Sequence, residues 1–426
     1  MKKYYYLGTD SSQVHVVKVS GLDDKNNEEL QAETIQTVET PNPRNLPSGV
    51  YNGVSTEWIA RHPKLNLLYV LTSYWNLLEA CVTTYEISTE DGTLIKLGER
   101  STEGYQATYA TFSADQSVFV IAHHNDGKLV FFDCRDDNAL ETPLMVLTAP
   151  EVVPGTRREV KRNDGFPVLP SLHHIQYSPN GKYLLAVDPS QDCVFTYAID
   201  ERGLPKAKVP TSVFQGSSNY PIYGLFQRLI TKYVLKCHQR ARRVAIHPNG
   251  KYVFVLYESI NRIQIYSISE TGVIDSKNCW QDISTLDPNL VSSKYWPVGI
   301  TLQLASELYI SPDAKTLMVS NRGDRKVPLS RAESSIRAFG VQVDNSTANT
   351  QPQGGISLLP RGTLKEISGP VRHFFPLNQG SDDWIVAAVY QDRQCLQFYE
   401  KQEEETSGYK LRGETNVKAN VFCIAH

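Results

Sequence analysis

Short apolar runs alternate with polar turns along the whole chain, and one arrangement of them keeps recurring. A brief apolar strand meets a Pro/Asn/Gly turn. A second apolar strand follows, then a polar hairpin, then a strand rich in Tyr, Phe, Val and Ile. Residues 243–269 show the unit in full: RVAI, HPNG, KYVFVLY, ESINR, IQIYSIS. Runs of β-branched and aromatic residues bounded by Asn, Gly and Asp are strand and hairpin signals. The turn reads SPNGKY at 178–183, HPNGKY at 247–252 and SPDAKT at 311–316. Looser copies are HPKLNL at 62–67 and SADQSV at 113–118, with a degraded one around Pro376. Successive turns lie 51 to 69 residues apart, a spacing that suits four-stranded antiparallel sheets with generous loops.

Six copies are visible, and the chain ends supply a seventh in pieces. Residues 4–8 match the second strand of a repeat and 14–19 the third. The strand that should precede them reappears at the other end, as ANVFCIAH at 419–426. Pairing these termini closes a ring and leaves no open seam. The pattern predicts an all-β, seven-bladed propeller, one closed domain over residues 1–426. Two stacked sandwiches would leave the split repeat unexplained. One insertion departs from the pattern: PIYGLFQRLITKYVLKCHQRARR at 221–243 sets Tyr223, Phe226, Ile230 and Tyr233 at helical spacing among basic residues. It predicts an amphipathic helix leaning on the propeller, with a lid or a contact between copies of the chain as the sharper alternatives.

The repeat gives every residue a coordinate. In an antiparallel hairpin the residue starting one strand and the residue ending the next lie at the same end. Positions six before the turn and ten after it should therefore ring one face near the axis. Six before are Glu57, His173 and Arg242; ten after are His124, Glu258 and Arg322. Long insertions at 152–172, 204–241 and 323–333 attach at that same end. In and beside them lie Arg157, Arg158, Lys161, Arg162, Arg240, Arg243, Arg325, Lys326 and Arg331. Loops on one face of a rigid scaffold are where binding concentrates. An arginine-lined mouth suits a small polyanion, because guanidinium grips carboxylate or phosphate by two bonds at once. Glu57, His124, Arg243 and Arg325 are expected at the substrate rim.

Composition narrows the partners. Forty-three basic against 46 acidic residues provide no global field for nucleic acid. No apolar run is long enough to span a bilayer, and MKKYYYLGTD lacks the apolar stretch of a secretory signal. Seven dispersed cysteines with no CxxC argue against a disulfide framework or zinc site. The histidines show no ligand spacing. The expectation is a cytoplasmic protein with no metal or cofactor, acting on a small anion.

LHHIQYSPNGKYLLAVD, RRVAIHPNGKYVFVLYE and ELYISPDAKTLMVSNR resemble the motifs of the seven-bladed propeller lactonase family, over almost the whole chain. Its members include bacterial 6-phosphogluconolactonase and fungal carboxymuconate cyclase. VLYESINRIQIYSI at 255–268 and GSDDWIVAAVYQDRQCLQFYEK at 380–401 are more similar to the muconate enzyme, and the ending FCIAH to the phosphogluconolactonase. The insertion at 221–243 belongs to neither pattern. The resemblance implies that His173, Arg242, Glu258 and Arg322 form the active site, with no cofactor. It puts first a cycloisomerase closing a carboxylated muconate to a lactone. Arginines would hold its carboxylates and the developing enolate charge, and His173 or Glu258 would deliver the proton. The alternatives are a hydrolase opening a sugar lactone such as 6-phosphogluconolactone, and a propeller that binds partners without catalysis.

Overall fold

The computed structural model describes residues 3–21, 30–40, 54–74, 79–151, 170–215, 239–288, 303–323, 334–344, 355–367, 369–378, 381–389, 394–401, 409–417 and 420–425. Among them there are only strands, loops and turns. The first blade begins with β1 (Lys3–Thr9), β2 (Gln13–Ser20) and β3 (Gln31–Glu39). The second holds β4 (Val54–Arg61), β5 (Leu67–Tyr74), β6 (Glu79–Ile87) and β7 (Leu94–Ser101). The third holds β8 (Ala107–Phe112), β9 (Val118–His123), β10 (Lys128–Asp133) and β11 (Met145–Thr148). The fourth holds β12 (His174–Tyr177), β13 (Tyr183–Asp188), β14 (Cys193–Ala198) and β15 (Ser212–Gln215). In the fifth are β16 (Ala241–Ile246), β17 (Tyr252–Tyr257), β18 (Arg262–Ile268) and β19 (Ile274–Ser284). In the sixth are β20 (Gln303–Ile310), β21 (Thr316–Gly323), β22 (Ser334–Val343) and β23 (Ile356–Ile367). The seventh holds β24 (Val371–Asn378), β25 (Ser381–Val389), β26 (Cys395–Lys401) and β27 (Tyr409–Asn416). The last strand, β28 (Val421–Ala425), is the missing inner strand of the first blade.

Seven four-stranded sheets result, each antiparallel throughout. The expected closure is present: Tyr6 pairs with Ala425, Leu7 with Ile424 and Gly8 with Cys423. The inner strands β28, β4, β8, β12, β16, β20 and β24 each touch the next around the ring.

The core is shared out between blades. One apolar cluster fills each gap between neighbours, including the gap between blades seven and one, where Tyr5 and Val17 meet Val386 and Phe398. Alternation along the middle strands feeds two gaps at once. Val253, Val255 and Tyr257 of β17 pack toward the fourth blade, and Tyr252, Phe254 and Leu256 toward the sixth. Both faces of a middle strand are therefore buried, which is why it reads as a continuous apolar run.

The recurring turn is built the same way in the third, fourth, fifth and sixth blades. Gly181 and Gly250 have φ of 68° and 72°, and the equivalent Gln116 and Ala314 have φ of 67° and 58°. A Cβ on Gly250 would meet nothing within 4 Å. The glycine there answers a backbone demand, not a lack of space.

Two expectations need correction. The helix predicted over 221–243 falls mostly on residues 216–238, outside the described ones, and its described end is not helical. Gln239 and Arg240 are loop, and Ala241 to Arg243 begin β16. The turn placed at Pro376 is also displaced: Pro376 lies inside β24, paired with Ile385.

Candidate active site

A β-bulge repeats at one height on the inner strands. Register breaks leave Glu57 of β4, Thr108 of β8, Arg242 of β16, Arg372 of β24 and Phe422 of β28 unpaired. In β20 the break leaves Ser306 and Glu307 unpaired. A bulge re-aims the extra side chain and sharpens the local twist, and here it presents each extra residue at the axis. His173 occupies the same level on the fourth blade, its N–H bonded to the Val187 carbonyl just ahead of β12.

The positions ten after the turn close the same end. Glu258 N–H donates to Arg240 O at 2.9 Å, and His124 N–H to Gln106 O at 2.9 Å. Arg240 and Gln106 share a positive φ, 57° and 60°. The loop before β16 is further pinned by Asp192, whose carboxylate accepts the backbone N–H groups of Gln239, Arg240 and Ala241.

Glu258 organises the cations. Its Oε1 accepts from Arg242 Nη1 at 3.0 Å and from Arg322 Nη2 at 2.7 Å, and Arg240 Nε lies 3.4 Å from Oε2. Arg242 Nε also donates to the Ser306 carbonyl at 3.2 Å. On the next flank, Arg372 Nη2 donates to Glu57 Oε2 at 2.6 Å while its guanidinium lies 3.9 Å from the centre of the Phe422 ring. The His173 and His124 rings meet edge to face with centroids 5.7 Å apart.

The charges settle the protonation states. Burial, reinforced by Arg242, Arg243, His124 and Arg372, holds the His173 imidazole well below its ordinary pKa, so it is neutral. Burial, with Arg240 and Arg242 adding to it, brings His124 down to about 4. Burial alone would raise Glu258, but Arg242, Arg322 and Arg240 outweigh it and keep the carboxylate ionised.

One residue further along each inner strand lies a floor. Arg243 donates from Nη2 to Glu307 Oε2 at 2.6 Å, and its guanidinium sits 4.6 Å from the Tyr109 ring centre and 5.4 Å from that of Trp58. β16 does not neighbour β4 or β8 in the ring, so Arg243 reaches across the axis to touch them. At the same level the His174 ring lies tilted against Tyr109 and the His373 ring meets Trp58 edge to face. This buried layer lies beneath the Arg242–Glu258–Arg322 cluster.

The structure thus brings His173, Arg242, Glu258 and Arg322 to one face, with Glu57 and His124 beside them. Arg243 is not at the rim: at 4 % exposure it belongs to the floor, because its strand position follows the bulge and faces the opposite way. Arg325 lies outside the described residues, as do the arginines and lysines of 152–169 and 324–333. Reading the sequence for ionisable residues passed over Thr108 and Ser306, which occupy the same register six before the turn. Arg372 was missed because the turn was set at Pro376. Aligning RHFF at 372–375 with RRVA at 242–245 would have found it.

Among the described residues no group of three or more His, Cys, Asp or Glu is arranged to hold a metal ion.

A family model described as "Lactonase, 7-bladed beta-propeller" matches residues 16–218 and 227–407. An uncharacterised Staphylococcus aureus protein is 24 % identical over 316 residues, 74 % of this chain and 73 % of its own length. The 6-phosphogluconolactonase of Bacillus subtilis is 22 % identical over 244 residues, and the match spans 57 % of each chain. Among solved structures, the periplasmic gluconolactonase of Pseudomonas aeruginosa superposes with a TM-score of 0.67 at 18 % identity, covering 100 % of this chain and 99 % of that one. A Lactobacillus plantarum protein gives 0.67 at 16 %, with the same coverage. At such identities the superpositions speak for the fold alone.

Proposed function

The chain belongs to the family of seven-bladed β-propeller lactonases, and from that premise we propose that it is a hydrolase opening an anionic sugar lactone such as 6-phosphogluconolactone. The observation that carries this reading is the pair of arginines, Arg242 and Arg322, that Glu258 holds at 3.0 and 2.7 Å on the face that also carries the buried, neutral His173. The names of the Bacillus and Pseudomonas relatives both point to sugar lactones, the Bacillus one to a phosphorylated lactone.

Opening a lactone requires a base to take a proton from water and a cation to hold the oxyanion that forms at the carbonyl carbon. The ring C–O bond then breaks, and the departing oxygen takes up a proton. His173 is the base. Its unprotonated state is secured by the cations around it, and an arriving anion that offsets those cations raises its basicity at the moment of attack. Arg242 and Arg322 face the oxyanion, and Glu258 acts through them by fixing their directions.

Muconate cyclisation, which the sequence reading put first, becomes the second reading. It needs an acid to protonate carbon, and in the free site His173 is neutral and Glu258 ionised. The Bacillus and Pseudomonas relatives also carry lactonase names, not muconate ones.

The test is a pH-stat assay with 6-phosphoglucono-δ-lactone and glucono-δ-lactone, beside an absorbance assay with 3-carboxy-cis,cis-muconate. Acid release well above the spontaneous rate is expected for the phosphorylated lactone. Loss of muconate absorbance with no lactone opening would establish the cyclase, and inactivity on all three the non-catalytic propeller.

A further inference from the structure

Three inner strands in a row, β24, β28 and β4, each present a bulged side chain at the seam where the ring closes: Arg372, Phe422 and Glu57. Arg372 passes over Phe422, with its guanidinium 3.9 Å from the ring centre, and ends on Glu57 at 2.6 Å. Ser55 Oγ holds the other carboxylate oxygen at 2.5 Å.

The two partners are not equally accessible. The Arg372 side chain is 26 % exposed and that of Glu57 only 1 %. An anion coming from the mouth therefore meets the guanidinium first, with the carboxylate beneath it. A guanidinium has five N–H donors in a planar fork, and the hydrogen bond to Glu57 uses one of them. Stacking on Phe422 fixes the plane of the fork without using an N–H, so less order is lost when a ligand takes the outer edge. This flank is separate from the Arg242–Glu258–Arg322 cluster, which comes from the fifth and sixth blades.

We propose that Arg372, seated on Phe422 and braced by Glu57, is the subsite for the distal phosphomonoester of the substrate, while the Arg242–Glu258–Arg322 cluster works on the lactone group. The assignment deepens the lactonase reading and rests on it for the identity of the substrate. It explains why the axis carries two separate guanidinium sites: a substrate with an anion at one end and an ester carbonyl at the other needs both. Arg372 is a specificity residue, and the lactone bonds break elsewhere.

The experiment compares Arg372→Ala, Arg372→Lys and wild type in two assays. The first is the ratio of kcat/KM for 6-phosphoglucono-δ-lactone over glucono-δ-lactone. The second is thermal stabilisation by inorganic phosphate and by 6-phosphogluconate. Charge-assisted hydrogen bonds to a dianion support a fall in the ratio of about 10- to 100-fold for Arg372→Ala. Stabilisation by phosphate should disappear with it. Arg372→Lys should lose less of the ratio, since it keeps the charge and lacks the fork, and it stands in for the alanine variant should that variant fail to fold. An unchanged ratio with unchanged phosphate stabilisation overturns the proposal. Should wild type open no lactone yet gain phosphate stabilisation that depends on Arg372, the lactonase reading fails and the anion subsite stands.

Discussion

Arg322 on β21 and Glu258 just past β17 belong to neighbouring blades and meet at 2.7 Å, on the same carboxylate oxygen that takes Arg242. One buried anion thus sets the angle between two cations from different sheets. Neither arginine is held by its own strand alone.

Truncating either cation should cost turnover without unfolding the protein. Arg242→Ala and Arg322→Ala are each expected to lower kcat by about 10²- to 10³-fold, the usual loss for a charge-stabilising donor. Arg→Lys should restore little of it, because an ammonium lacks the planar fork. Glu258→Gln should also lower kcat, and because it leaves the buried Arg242 without its carboxylate it should lower the thermal melt as well. Steady-state kinetics beside a melt for each variant checks this. Near-wild-type turnover in both alanine variants would leave a binding propeller as the better account.

The pH profile should report the crowded cations. A base with an ordinary imidazole pKa loses activity below about pH 6.5. His173 is held well below that value by burial and the arginines around it. In kcat/KM, which reads the free enzyme, the acid limb should therefore lie well to the acid side of the ordinary imidazole value. The sign follows from the base being active when unprotonated: lowering its pKa moves the limb to lower pH. A limb centred at 6.5 would exclude His173 as the base.

The floor should matter for stability more than for chemistry. Arg243 and Glu307 are both largely buried and paired at 2.6 Å. Removing one partner of such a pair typically costs about 3–5 kcal/mol, because the other charge stays buried alone. Glu307→Ala should lower the urea midpoint accordingly, and the double replacement Arg243→Met with Glu307→Leu should recover much of the loss. A Glu307→Ala midpoint equal to wild type would show that this pair does not hold the floor.

Closure by β28 is also open to test. Deleting residues 419–426 removes the partner of Tyr6, Leu7 and Gly8 and bares the inner edge of the first blade. It also strips Val421 and Ile424 from the cluster between blades seven and one. An exposed apolar edge invites pairing with other chains, so light scattering should show aggregation and the melt should fall. A monomeric deletion variant with an unchanged melt would mean the ring is held shut by other contacts.

Several features were legible in the chain because they are written locally. Middle strands such as 252–257 are apolar on both faces, and turn signals bound them at a regular spacing, so strand, hairpin and repeat follow from period and composition. The split repeat even foretold which ends pair. The same register brought His173, Arg242, Glu258, Arg322, Glu57 and His124 to one end of the molecule.

What it could not show is which way a side chain turns at a bulge. Arg242 and Arg243 are identical neighbours. One bulged residue separates the arginine that faces the mouth from the arginine that closes the floor. His173 and His174 divide in the same way. Arg372 was hidden because the seventh turn had lost its motif. The sequence by itself determined the strands, their repetition and the end of the ring at which the ionisable residues gather, because periodicity is a property of the chain. Only the tertiary structure decided which cation meets which anion, and so which groups are charged. Those contacts join residues as far apart as Glu57 and Arg372, and burial and Coulomb interactions depend on distances in space that strand order does not record.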